Sequence, residues 1–205
     1  MTTYPGPART LSQQPPAAPA AVTVASTGAL ALAAAASWTG LVLLVRGHVI
    51  PGWAVSAVLL AAALVFRRGL TRATGRARRG PWIRRTQRLL ILAAVLGTVW
   101  GAADDVLSDA RYHVIGPPGP GGCTAVVRET SFLVIGGGEV YAVGRSGWAV
   151  GASGSWRVDD GYRPVASGTY TLRWGGPGDD GTLAVTGTRT DPVLGGGLTE
   201  LDCGW

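Results

Sequence analysis

Residues able to do chemistry are sparse, and nearly all of them stand in the second half of the chain. Asp104 and Asp105 follow directly on an apolar run. Carboxylates within a membrane span are costly and persist where they ligate a cation or pass a proton; at the end of a span the same pair reads as a polar stop at the interface. Asp109, His113 and Glu129 come next. Convergence of Asp104, Asp109 and His113 in a cleft would make the paired ionisable groups of an acid–base enzyme. The two histidines, His48 and His113, lie far apart with no CxxC, HxxxH or HExxH spacing, so no zinc ligand set is read. Gly151-Ala152-Ser153-Gly154-Ser155 approaches a nucleophile elbow but has serine where the last glycine belongs, which leaves Ser153 a turn residue. Gly136 to Gly138 and Gly195 to Gly197 lack the lysine and following helix of a phosphate loop and read as turns. The Asp-Asp-Gly triplets at 159–161 and 179–181 lack the alternating oxygens and terminal glutamate of a calcium loop, and Asp-Gly turn chemistry accounts for them. No catalytic residue, cofactor or metal site is therefore assigned.

What positions these groups is set by charge. Arg67 to Arg88 holds nine arginines and no acid, whereas all twelve acids lie at or beyond Asp104, so residues 1–103 carry +11 and residues 104–205 carry −5. Because the arginines are packed between apolar segments, they read as a cytoplasmic loop facing anionic lipid and not as a nucleic-acid surface. Residues 1–20, rich in Pro, Ala, Thr and Gln, read as a disordered cytoplasmic tail.

Residues 21–107 then form a three-helix transmembrane region. Val22 to Val45 is uncharged over 24 residues, about 36 Å of helix against a hydrocarbon core of about 30 Å. A cleaved signal peptide is the rival, given the small residues from Ala33 to Ser37. Arg46 to His48 make a short outer turn. A second span runs from Val49 to Phe66, with Pro51 in its first turn and Trp53 at the interface. The third runs from Leu89 to about Ala103 and continues through Asp104 and Asp105. Its stripe Ala93, Gly97, Gly101 is a helix-packing face, used within the chain or between copies in a homo-oligomer.

After a Gly/Pro linker at 108–122, residues 123–205 change to short β-prone segments: Cys123 to Ile135, Glu139 to Val143, Trp148 to Val158, Tyr170 to Trp174, Thr182 to Thr188 and Leu198 to Cys203. Alternation such as Tyr170, Leu172 and Trp174 against Thr171 and Arg173 gives one buried face. The fold class is thus membrane α-helical plus a small all-β sandwich or open barrel. Cys123 and Cys203 bracket that domain and are expected to pair if its compartment is oxidising. Trp148, Trp156, Tyr162 and Trp174 offer a candidate binding surface, the alternative being that they form the core.

The stretches CTAVVRETSFLVIGGGEVYAV, DDGYRP, SGTYTLRW and the terminal LDCGW resemble the outer domain of uncharacterised small multi-pass membrane proteins from actinobacteria. The resemblance covers about half the chain and carries no catalytic motif. With the arginine loop cytoplasmic, a plasma-membrane protein is expected, with a cytoplasmic N-terminus and an extracytoplasmic C-terminal domain. That domain is expected to fold alone over residues 108–205 when oxidised, and to bind a ligand or an envelope protein as an accessory subunit without being an enzyme. An envelope enzyme and a channel or transporter component are the alternatives, the latter set aside because the spans carry no charge in their middle.

Overall fold

The computed structural model describes residues 18–73, 81–119, 121–175 and 180–203. Most of the N-terminal tail, the centre of the arginine stretch and Asp179 lie outside the described residues.

Three helices open the chain: α1 (Ala18–Trp38), α2 (Gly52–Ala73) and α3 (Pro81–Leu107). Gly52–Gly69 and Pro81–Leu107 are long and apolar enough to cross a membrane by length and composition, while the apolar stretch Val24–Trp38 of α1 is shorter. Side chains fix their packing. Gln87 Nε2 donates to Thr27 Oγ1 at 3.0 Å across 60 residues of sequence, and Gly97 meets Ser37 at the same offset, so α1 and α3 run parallel. Thr98 Oγ1 donates to Ser56 Oγ at 2.8 Å and Gly101 meets Trp53, so α2 runs antiparallel to α3. A Cβ on Gly97 would lie 2.4 Å from Ser37 Oγ, and Trp38 Nε1 donates to the Ala93 carbonyl at 3.1 Å. The small-residue stripe is therefore filled from within the chain.

The first apolar run is not all helix. α1 stops at Trp38, Gly40 takes φ +61°, and Leu41–Val45 is strand β1, which forms a hairpin with β2 (His48–Pro51) through Arg46 and Gly47 at φ +51° and +80°. Positive φ at both loop residues is the turn whose twist matches a two-residue hairpin. A short uncharged run is equally compatible with helix or strand by pattern alone, and what decides here is a distant partner: β1 also pairs with β6 (Trp148–Val150). Pro51 accordingly ends a strand, and α2 begins at Gly52.

The supposed linker also contains a strand, β3 (Arg111–Ile115). It edges a five-stranded antiparallel sheet with β4 (Thr124–Phe132), β5 (Ile135–Val143), β7 (Gly154–Asp159) and β10 (Val193–Gly195), in the order β10-β7-β5-β4-β3. A three-stranded sheet, β11-β9-β8, is built from β8 (Tyr170–Trp174), β9 (Gly181–Val185) and β11 (Leu198–Leu201). One face of the five-stranded sheet packs on it through Ala125, Val127, Val140, Ala142, Trp156 and Val158 against Leu183, Val185 and Leu201. The disulfide Cys123–Cys203, with Cα atoms 5.9 Å apart, is part of that core. The opposite face packs Val126, Tyr141 and Val143 under Val42 of β1 and Ala149 of β6. The β1–β2 hairpin, carried between two helices, therefore caps the β region.

Gly136 to Gly138 are strand residues and not a turn; the β4–β5 turn is Leu133 and Val134, with Leu133 at φ +54°. The glycines make room for neighbours on β7: a Cβ on Gly138 would fall 2.2 Å from the Trp156 ring. Gly196 and Gly197, at φ +72° and +98°, do make the turn before β11.

Candidate functional site: the polar junction between helices and sheet

β4 carries Arg128 and Glu129 side by side, and strand alternation sends them to opposite faces. Register aligns Tyr112, Arg128 and Glu139 in one row across β3, β4 and β5. That row faces the C-terminal end of α3.

Arg128, whose side chain is 13% exposed, donates from Nε to Asp105 Oδ1 at 2.9 Å and pairs from Nη2 with both Asp105 and Asp104 and from Nη1 with Glu139 Oε2 at 3.5 Å. Asp105, equally buried, also accepts from Trp53 Nε1 at 2.7 Å and from the Tyr112 hydroxyl at 3.1 Å. Tyr141 donates to Glu139 Oε2 at 2.8 Å. The cluster lines a hollow of about 160 Å³ closed by Ala36 and Ser37 of α1, Leu41 and Val42 of β1, Gly52 and Trp53 of α2 and Gly101 of α3. All three helices and two sheets thus meet at one guanidinium.

The electrostatics keep Arg128 charged and both phenols protonated. Burial works against the charge on Arg128, but its hydrogen bond and Coulomb attraction to Asp105 prevail, and its pKa is raised. Burial, then the Asp105 charge, pushes the Tyr112 phenol far up, and burial with Glu139 does the same to Tyr141. Both tyrosines remain protonated donors. One arginine faces three carboxylates, and two of them, Asp104 and Glu139, are 54% and 41% exposed.

On the other face Glu129 is fully buried and accepts backbone N–H groups from Val165 at 2.7 Å and Ala166 at 2.9 Å. It ties the loop after β7 to the sheet, with His113 Nε2 3.4 Å away but not hydrogen-bonded.

Asp104, Asp109 and His113 do not converge. Asp104 joins Arg128, Asp109 pairs with Arg111 and Arg163, and His113 faces Glu129. Among the described residues no group of three or more His, Cys, Asp or Glu is placed to hold a metal ion. The four aromatics form no common surface. Trp156 is core at 3% exposure, Tyr162 and Trp174 are half-buried against that core, and Trp148 alone is exposed, on β6. Trp174 Nε1 donates to the Pro117 carbonyl at 2.8 Å, pinning the Gly/Pro segment, and the Tyr162 hydroxyl shares a hydrogen bond with Thr169 Oγ1. Sequence reasoning misses Arg128 as a site residue; the available signal is an adjacent Arg128-Glu129 pair directly after the apolar run Ala125 to Val127.

The chain matches no family model, no curated protein and no solved structure.

Proposed function

We propose that the chain is a three-span plasma-membrane protein of the kind its actinobacterial resemblance implies, with the arginine-rich side cytoplasmic and the β region outside. There it acts by binding, as an accessory subunit of the envelope, and not as an enzyme. The observation that carries this reading is where the apolar surface points. Only 17% of the apolar window of α2 and 11% of that of α3 is buried inside the protein, although both are apolar enough to cross a membrane. Val58, Val65, Leu89, Leu92, Leu96 and Val99 all face outward. In water such a surface would drive aggregation; in lipid it is the solvated face. α1 packs against both helices and supplies Thr27 to the Gln87 amide, which supports a third span.

Arginines 67, 68, 84, 85 and 88 cluster at the end of α2 and the start of α3, opposite the end that carries the β strands. The positive-inside bias supports putting the β region outside, and the Cys123–Cys203 disulfide agrees with an oxidising compartment. Binding is favoured over catalysis because the ionisable groups of the junction are engaged with one another: Asp105 alone accepts from three different side chains. Copurification of the intact protein from its native membrane, with identification of what accompanies it, tests the accessory role. Recovery of the protein alone, together with a turnover abolished by Asp104→Asn, would replace it with the enzyme reading.

A further inference from the structure

The β4–β5 turn exposes four consecutive apolar side chains: Phe132 (52%), Leu133 (83%), Val134 (63%) and Ile135 (62%). Single exposed apolar residues are ordinary, whereas a contiguous run at a hairpin tip marks a contact surface. Ser131 precedes the run on β4, and Asp159 of the neighbouring β7 stands opposite Ile135. The tip is fastened to the end of α3, since Ser131 N donates to the Ser108 carbonyl at 2.7 Å. Phe132 shares a hollow of about 370 Å³ with Trp100, Ala103, Asp104, Leu107 and Ser108. It therefore stands level with the last two turns of α3, whose Trp100, Val106 and Leu107 are themselves exposed.

We propose that this hairpin tip enters the outer leaflet of the bilayer beside α3, an interfacial contact in addition to the helical spans. The inference rests on the membrane-spanning reading given above. With Arg88 at the inner boundary, the 19 residues Leu89 to Leu107 rise about 28 Å, close to the roughly 30 Å hydrocarbon core. Phe132, beside Trp100 and Leu107, then lies within the outer boundary, and Leu133 and Val134 extend the apolar surface of α3 sideways. The occupant is lipid because the patch is continuous with a face that lipid already covers. Asp104, which shares the hollow with Phe132, is held with Asp105 by Arg128, and the exposed Asp159 stands on β7 opposite Ile135, on the side of the tip away from α3. Seated this way, the tip fixes the tilt of the sheet over the membrane.

The test uses the full chain in phosphatidylcholine–phosphatidylglycerol vesicles. The native cysteines are bonded to each other, so an introduced thiol alone takes a polarity-sensitive fluorophore. Three variants are compared: Leu133→Cys at the tip, Leu96→Cys in the middle of α3, and Ser146→Cys at the opposite end of β5. The tip probe is expected to be blue-shifted, quenched by lipids bearing a nitroxide near the headgroup, and several-fold less open to an aqueous quencher than the probe at position 146. The probe at position 96 should be quenched by a nitroxide deep in the acyl chain. A tip probe as water-accessible as that at 146, with position 96 still lipid-quenched, overturns the inference and leaves the spanning reading intact. A water-accessible probe at 96 overturns the spanning reading itself. Protection of the tip in native membranes but not in pure lipid also overturns the inference, in favour of a protein partner.

Discussion

Two adjacent residues, Arg128 and Glu129, tie one strand to two different layers. Breaking a buried ion pair from one side costs about 3–5 kcal/mol, because the remaining charge stays buried and uncompensated. Arg128→Met is therefore expected to lower the thermal midpoint of the detergent-solubilised protein sharply, and Arg128→Met with Asp105→Leu to recover part of the loss. A double variant no better than the single one would show that Asp105 is supported by Trp53 and Tyr112 alone. The phenols add a pH dependence. A tyrosine whose pKa is raised on folding contributes stability that is intact below the ordinary phenol value, about 10, and is lost as pH climbs through the folded value. Junction stability should therefore fall in alkaline solution. In a near-ultraviolet titration Tyr112 and Tyr141 should ionise above the ordinary range, and the late fraction should vanish in Tyr112→Phe with Tyr141→Phe. Glu129→Gln leaves one amide oxygen where two carboxylate oxygens served Val165 and Ala166. A loss of about 1–3 kcal/mol is expected, read from chemical denaturation.

Among the elements, the β1–β2 hairpin changes what the β region is. Residues 108–205 alone lack β1, the partner of β6 and the cover over Val126, Tyr141 and Val143. The truncated region is now expected to aggregate or bind hydrophobic dyes even when oxidised, unless residues 39–51 are restored to it. A monomeric, dye-free fragment would return the hairpin to the status of a mere turn. Most elements were legible: the apolar runs gave α2 and α3, and alternation gave β4, β8, β9 and β11. β1 and β3 were hidden for a common reason, since each is short and its neighbours in sequence, an apolar helix before β1 and a Gly/Pro run after β3, dominate any local reading. The glycines of β5 were misread because the Trp156 ring that covers Gly138 comes from β7, and no local pattern announces it.

At the scale of the whole molecule, charge asymmetry was the readable feature and the junction was not. The +11 and −5 halves point to opposite ends of the helices, whereas the hollow around Arg128 needs residues from Ala36 to Tyr141 brought together by three helices and two sheets. Reporter fusions at Thr86 and at the C-terminus should score on opposite sides of the membrane; the same side for both would change the number of spans. Reduction should also be costly, since the disulfide closes 80 residues and the chain-entropy model assigns such a loop roughly 4 to 5 kcal/mol. Melting with and without reductant measures it.

The pairing of β1 with β6 imposes an order of events during synthesis. Leu43 is paired with Trp148, so more than half the chain is made between the two partners. The hairpin and the two helices that flank it leave the ribosome first, and one edge of β1 then waits with its N–H and C=O groups unpaired while α3 and the following strands are threaded after it. An open strand edge is a template for wrong partners. Maturation therefore includes the docking of a late segment onto an early one, and a chain arrested before Val150 would present that edge to whatever else the compartment contains.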